Sequence, residues 1–159
     1  MPAAPSDSPK PPRVPTSVLF ACTLNRVRSP MAEAIAKHLL GRRVFVDSVG
    51  VRCEDDEADP FAVAVMDEIG LDLAGHHAKT FDDLEDASFD LVISLTPEAQ
   101  HRAVELTRTN ACDVEYWPTQ DPTAVEGSRE TVLAAYREVR DSLMERIKAR
   151  FAVAPPPQI

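Results

Sequence analysis

The sequence predicts an α/β fold, a three-layer sandwich in which a four-stranded parallel sheet is flanked by helices. Four short apolar segments alternate with segments of helical character, and this alternation is typical of parallel sheets covered by helices. The third apolar segment, residues 89–95, is almost continuously apolar, as expected for a strand that is buried on both faces.

The predicted elements begin just after residue 16. Strands are predicted at 18–21, 44–48, 89–95 and 114–117. Helices are predicted at 31–40, 60–69, 97–107 and 129–150, with a short acidic helix at 81–84. Gly41 and Gly70 follow helical segments as stop signals, whereas Pro60 and Pro97 stand at first-turn positions.

The ends of the chain differ in composition from its body. Residues 1–16 and 154–159 are rich in proline and poor in apolar anchors, which is typical of disordered segments. We therefore predict a disordered Pro-rich tail at 1–16, one domain at 17–151 and a second tail at 152–159. A docking role for the first tail is the alternative. The chain of 159 residues suits a single domain.

Charge is distributed unevenly along the chain. The formal net charge of −9 argues against nucleic acid as a partner, since no basic run offsets it. Positive residues nevertheless cluster around one segment, and acidic residues lie at 54–59 beyond it. This pattern favours a small anionic group as the ligand. The clustered residues are Arg26, Arg28, Lys37, Arg42 and Arg43.

The three cysteines, Cys22, Cys53 and Cys112, lie far apart in the sequence. They form no Cys-x-x-Cys motif and no Cys/His spacing suited to zinc, so we expect no metal and no cofactor. Free cysteines of this kind indicate a reduced, cytoplasmic setting. No segment has the length of a signal-peptide core or a membrane span, so we expect no membrane partner. The oligomeric state is left open.

The segment from Cys22 to Pro30 follows the first strand and precedes the first helix. A strand, a tight loop and a helix N-terminus in this order form an anion-binding site. We expect Ser29 to cap the helix and Pro30 to occupy its first turn. Asn25 suits a backbone position with positive φ, because the loop has to curl back on itself.

This arrangement indicates phosphate chemistry. The planar guanidinium of Arg28 matches two phosphate oxygens, and a helix N-terminus with nearby arginines favours the thiolate form of a cysteine. Cys22 would then attack phosphorus without a histidine base, and the departing oxygen would need a proton from a carboxylic acid. Asp121 follows the fourth strand, so the topology brings it to the same edge of the sheet.

Each of these residues also has a simpler interpretation. Cys22 alone would be a structural cysteine at a strand end, and Arg28 alone would be a surface arginine. Asp121 and Pro122 together are a common turn initiator. The Cys-x5-Arg spacing gains weight only from its place between a strand and a helix.

Residues 20–34, from Phe20 to Ala34, resemble the signature of the low-molecular-weight protein tyrosine phosphatase family, which shares its fold with the thioredoxin-coupled arsenate reductases. The resemblance extends over about residues 17–150 and implies a phosphotyrosine protein phosphatase I-like fold. The further matching stretches are residues 47–50, Asp59-Pro60, residues 70–73, His76 and Asp121-Pro122.

The resemblance implies metal-independent hydrolysis of a phosphorylated protein or a small phosphomonoester through a phosphocysteine intermediate. It makes Cys22 the nucleophile, Arg28 the phosphate clamp and Asp121 the general acid. Ser48 and His76 would support the loop, and only the resemblance separates His76 from His77. The implied substrate-binding loop comprises Thr23, Leu24, Asn25, Arg26, Val27, Arg28 and Ser29.

The sequence also departs from the family pattern. Leu24 stands where the family usually has glycine, and Val27 stands where many members have a second cysteine. The aromatic residues that often follow Asp-Pro are missing, and the candidates to replace them are Trp117, Tyr116 and Phe81.

These departures leave two alternatives to phosphatase activity. One is an arsenate reductase. That activity needs two further cysteines after the third strand, residues 95–99 contain none, and Cys53 is the candidate relay thiol. The other is a phosphate-binding module in which Leu24 has abolished catalysis.

Overall fold

A parallel four-stranded sheet forms the centre of the molecule. The computed structural model describes residues 15–84 and 88–151. Its strands are Ser17–Cys22 (β1), Phe45–Gly50 (β2), Leu91–Ser94 (β3) and Asp113–Tyr116 (β4). They are arranged in the order β2-β1-β3-β4, and all neighbouring strands are parallel. The predicted fold class is therefore confirmed.

Four α-helices connect and cover these strands. They are Arg28–Leu40 (α1), Pro60–Asp67 (α2), Pro97–Leu106 (α3) and Arg129–Phe151 (α4). Short 3-10 helices lie at Gly41–Arg43, Phe81–Asp83 and Pro122–Ala124. The proposed tails at 1–16 and 152–159 lie almost wholly outside the described residues, so the domain boundaries stay a prediction. No helix in the described part of the chain is long and apolar enough to cross a membrane.

The helix signals at Gly41, Pro60 and Pro97 hold in the structure, whereas α2 ends at Asp67, before the stop expected at Gly70. Gly41 follows α1 with φ of 62°, a left-handed conformation that glycine adopts without strain. Asp59 caps α2 by accepting hydrogen bonds from two backbone N–H groups, with Pro60 in the first turn. Thr96 caps α3 by accepting a hydrogen bond from the backbone N–H of Ala99, with Pro97 in the first turn.

The start of α1 differs from the prediction. The helix begins at Arg28, its cap position is Val27, and no side chain caps it. Ser29 therefore lies inside the first turn rather than at the cap. Its hydroxyl instead lies 2.9 Å from Cys22 Sγ and 3.3 Å from the carbonyl oxygen of Val49. Ser29 therefore makes tertiary contacts with β1 and β2 instead of capping the helix.

The sheet buries apolar side chains on both faces, as the sandwich requires. Residues of β1 alternate between two cores: Val18 and Phe20 face α1, α2 and α4, whereas Leu19 and Ala21 face α3. All four are completely buried. The helices therefore lie on opposite sides of the sheet and complete the three layers.

The sheet order determines where a ligand binds. β1 is central and pairs with β2 on one side and β3 on the other, so the chain reverses its winding direction at β1. In open parallel sheets, ligands bind outside the carboxyl ends of the strands at such a switch point. Cys22 is the last residue of β1 and pairs in register with Gly50 at the end of β2.

Candidate active site

The loop between β1 and α1 consists of residues 23–27 and curls beneath a pocket of about 280 Å³. Asn25 adopts φ of 57° and is the only non-glycine residue with positive φ in the described part of the chain. The sequence-based prediction for Asn25 is thus confirmed. Leu24 needs no such conformation, so a side chain at this position does not strain the loop.

Cys22 lies at the floor of this pocket and is 2% exposed. Its Sγ is 2.9 Å from Ser29 Oγ and accepts a hydrogen bond from the backbone N–H of Asn25 at 3.3 Å. The sulfur is therefore surrounded by hydrogen-bond donors at the N-terminal end of α1. This environment differs from that of an inert core cysteine, which has apolar neighbours only.

Arg28 is the first residue of α1 and also lines the pocket. Its Nη1 donates a hydrogen bond to the carbonyl oxygen of Thr119 at 3.1 Å, which fixes the plane of the guanidinium. Its Nη2 lies 4.0 Å from Asp121 Oδ2. The guanidinium therefore connects the loop that carries Cys22 with the loop that carries Asp121.

Asp121 lines the same pocket as Cys22 and Arg28, and its side chain is 45% exposed. Its Oδ1 accepts hydrogen bonds from the backbone N–H and the hydroxyl of Thr123, at 2.9 and 2.6 Å. Asp121 thereby initiates the 3-10 helix Pro122–Ala124 while its Oδ2 faces Arg28. The turn interpretation and the functional interpretation of this residue are compatible.

Asn25 holds the loop against the rest of the domain. Its Nδ2 donates to Ser29 Oγ at 2.8 Å and to Ser48 Oγ at 3.0 Å. Its Oδ1 accepts from the backbone N–H of Lys79, and its carbonyl oxygen lies 2.9 Å from His76 Nε2. The loop is thus anchored to two segments that are distant in sequence, residue 48 on β2 and residues 76–79.

The two supporting residues implied by the resemblance therefore contact Asn25. His77, which the sequence alone does not separate from His76, points elsewhere and pairs with Asp56. Ser48 also donates to Glu33 on α1, a contact that the sequence reasoning missed. Glu33 stands four residues after Ser29, on the same helix face, and this spacing is the signal that points to it.

The remaining loop residues have other environments. Arg26 turns towards the acidic loop after β2, where Nε donates to the carbonyl oxygen of Glu57 and Nη1 lies 3.7 Å from Asp55. Val27 is buried in the core beneath α1. Thr23 Oγ1 donates to Thr96 Oγ1 at 3.2 Å, which ties the loop to the start of α3.

None of the three aromatic candidates lines the pocket. Trp117 is buried between Phe20 and the guanidinium of Arg146, and Phe81 is buried in the core beside α3. Tyr116 lies on the edge strand β4. The aromatic walls that the family often has are therefore not replaced by these residues.

The other two cysteines are free thiols, and neither lines the pocket that contains Cys22. Cys112 lines a groove with Thr16 and Arg150 at the opposite end of the sheet. Cys53 is exposed in the loop after β2. Burial and neighbouring aspartates raise the pKa of both thiols above the ordinary value, so neither is favoured as a thiolate.

Comparisons with known proteins agree with this architecture. The family model described as low molecular weight phosphotyrosine protein phosphatase matches residues 17–153. The chain is 37% identical over 131 residues to an arsenate reductase of Halalkalibacterium halodurans, covering 82% of this chain and 91% of that protein.

Two solved structures illustrate the same two activities. A low molecular weight protein tyrosine phosphatase from T. tengcongensis is 28% identical with a TM-score of 0.70, and the match covers 86% of this chain and 98% of that one. An arsenate reductase in the phosphate binding state is 28% identical with a TM-score of 0.66, covering 87% and 99%.

Proposed function

The chain belongs to the low molecular weight phosphotyrosine protein phosphatase family, and we propose that it is a metal-independent phosphomonoesterase acting through a phosphocysteine intermediate. The observation that carries the proposal is the common pocket of Cys22, Arg28 and Asp121. A nucleophile, a cation and a carboxyl group around one small cavity are what displacement at phosphorus requires.

The proposed reaction has two steps. In the first, the Cys22 thiolate attacks phosphorus and a sulfur–phosphorus bond forms while the bond to the leaving oxygen breaks. Protonated Asp121 gives its proton to that oxygen. In the second, a water molecule attacks phosphorus, Asp121 takes its proton, and the sulfur–phosphorus bond breaks to restore the thiolate and release phosphate.

Arg28 has the role of binding the phosphoryl group in both steps. Its hydrogen bond to Thr119 uses one nitrogen, which leaves other N–H groups for phosphate oxygens. Ser29 Oγ and the backbone N–H of Asn25 would stabilise the sulfur charge before the first step and after the second, because both lie within hydrogen-bond distance of Cys22 Sγ. We propose a cytoplasmic enzyme whose substrate is a phosphorylated protein or a small phosphomonoester.

Arsenate reduction is the second candidate, favoured by the arsenate reductase names of relatives such as that of H. halodurans. Reduction of arsenate to arsenite takes two electrons, which two thiols supply as they join in a disulfide. Cys53 is the better placed partner, since Cys112 lies at the other end of the sheet. The raised pKa of the Cys53 thiol disfavours it as a partner.

One assay panel tests both candidates. The wild type, Cys22→Ser and Cys53→Ser are supplied with an aryl phosphate without metal, and separately with arsenate and a thiol reductant. We expect the wild type and Cys53→Ser to hydrolyse the ester and Cys22→Ser to be inactive. Arsenate turnover that depends on Cys53 would support the reductase instead. Phosphate binding without either turnover would support a non-catalytic binding module.

A further inference from the structure

The mouth of the active-site pocket is charged rather than aromatic. Above the floor, the described residues contribute two arginines, three carboxylates, a threonine and a leucine, and no aromatic ring. These residues are Leu24, Arg26, Arg52, Asp59, Glu98, Asp121 and Thr123. The side chain of Tyr136 is buried in the core and does not line the pocket.

An ion pair between Arg52 and Glu98 forms part of this mouth. Arg52 Nη1 donates to Glu98 Oε2 at 2.7 Å, and both side chains are about half exposed, at 53% and 54%. An exposed ion pair of this kind contributes little to folding stability. Because the pair lies at the pocket mouth, we expect it to affect ligand selection more than the stability of the fold.

Both partners of the pair are positioned by Thr23. The backbone N–H of Arg52 donates to the carbonyl oxygen of Thr23 at 3.1 Å. The hydroxyl of Thr23 donates to Thr96, which caps α3 and so holds Glu98 in the first helical turn. The pair consequently spans from the loop after β2 to α3, beside the loop residue Leu24.

We propose that Leu24 and the Arg52–Glu98 pair are specificity-determining residues that select a phosphomonoester with a polar, non-aromatic leaving group. The inference rests on the proposed function and deepens it. A leucine here fills space that a glycine would leave open beside the pocket. The ion pair supplies both a donor and an acceptor to a polar group that enters.

The physical reason is the cost of covering charge. A flat apolar ring over the pair would exclude water from both charged groups without replacing their hydrogen bonds. None of the described residues at the mouth offers an aromatic side chain for edge-to-face or stacked contacts with that ring. A leaving group with its own donors and acceptors keeps those charges hydrogen-bonded, so it pays no such penalty.

Binding to the Cys22→Ser protein tests this without any turnover. Calorimetry measures the Kd of inorganic phosphate, phenyl phosphate and O-phosphoserine in this background, alone and combined with Leu24→Gly or Arg52→Ala. Glu105→Ala is the matched control, because Glu105 lies on the same helix and also pairs with an arginine, Arg102, outside the pocket.

We expect Leu24→Gly and Arg52→Ala each to lower the Kd of phenyl phosphate relative to the Kd of O-phosphoserine by at least about fivefold. Glu105→Ala should leave the ratio unchanged, and the Kd of inorganic phosphate in each variant is the reference against which both esters are compared. An unchanged ratio with normal phosphate binding would overturn the inference but not the proposed function. Weaker binding of phenyl phosphate alone in Arg52→Ala would also overturn the inference, because it would show that Arg52 stacks on the ring. Failure of the Cys22→Ser protein to bind any of the three ligands would overturn both.

Discussion

Ser29 Oγ lies 2.9 Å from Cys22 Sγ, and the same hydroxyl accepts a hydrogen bond from Asn25 Nδ2 at 2.8 Å. Because Asn25 occupies an acceptor position of the hydroxyl, the Ser29 proton is left to point towards the sulfur or the carbonyl oxygen of Val49. The proposed mechanism uses this sulfur as a thiolate, and hydrogen bonds to charged groups are stronger than neutral ones.

Replacing Ser29 by alanine should therefore lower the reactivity of the Cys22 sulfur. We expect Ser29→Ala to slow alkylation of Cys22 by iodoacetamide at pH 7 by roughly tenfold, the value of one hydrogen bond to a charged group. Mass spectrometry of the labelled peptide measures this, and Cys53 in the same sample serves as the internal control. Equal alkylation of Cys22 in both proteins would show that Ser29 has no such effect.

Gly50 allows the active-site loop to pack against the end of β2. A Cβ atom at this position would lie 2.8 to 2.9 Å from backbone atoms of Thr23, Leu24 and Asn25, which is too close for any of them. We expect Gly50→Ala to displace the loop and reduce kcat/KM for an aryl phosphate by roughly 100-fold. Steady-state kinetics measures the loss.

Gly75→Ala is the matched control for this change. A Cβ atom at Gly75 would meet nothing within 4 Å, and its backbone does not have positive φ. The Gly75→Ala protein should retain the activity of the wild type. Equal activity of the two alanine variants would contradict the role given to Gly50.

Asp121→Asn removes the proposed proton donor but keeps its shape. Asparagine still accepts the hydrogen bonds of Thr123, so the turn should persist. We expect kcat to fall by roughly 100-fold to 10,000-fold for aryl phosphates with basic leaving groups, and far less for those with acidic leaving groups. A plot of rate against leaving-group pKa measures this.

Asp113→Asn is the control, because Asp113 lies at the other end of the sheet and lines a different groove. It should leave the plot unchanged. Parallel plots for Asp121→Asn and the wild type would argue against proton donation by Asp121.

Glu68 joins α2 to α4 through Arg137 and Arg140. Hydrogen bonds from Arg137 and then Arg140 lower the pKa of Glu68 from 4.5 to about 2. Because its folded-state pKa is below the unfolded value, Glu68 stabilises the fold fully above about pH 4.5, and this stabilisation is lost as the pH falls towards 2.

Glu68→Gln should therefore lower Tm at pH 7, and its difference in Tm from the wild type should shrink as the pH falls from about 4.5 towards 2. Thermal unfolding followed by circular dichroism at a series of pH values measures the difference. Glu130→Gln is the control, since Glu130 is exposed and contacts Arg137 only at 3.6 Å. A difference in Tm that is constant from pH 7 to pH 2.5 would contradict the assignment.

The sequence predicts the larger part of the fold because its signals are local. Apolar runs mark all four strands, and Gly41, Pro60 and Pro97 mark helix boundaries that the structure retains. The positive φ of Asn25 also follows from its own residue type and place in the loop. Parallel topology then brings Cys22 and Asp121 to one edge of the sheet.

The features that escape the sequence depend on contacts between distant segments. Ser29 has the residue type of a helix cap, but its neighbours in space are Cys22 and Val49. Arg52 and Glu98 lie 46 residues apart, and no periodicity relates them. Trp117 has the residue type of a pocket wall, yet packing against Phe20 turns it into the core.

The anchoring of the active-site loop has a consequence for synthesis of the protein. Residues 22–28 leave the ribosome before Thr119, whose carbonyl oxygen binds Arg28 and which lies 91 residues later in the chain. The contacts of Asn25 with His76 and Lys79 also wait for more than 50 further residues. In a nascent chain, the loop that carries Cys22 therefore lacks these contacts. We expect it to bind an anion only after most of the domain has been synthesised.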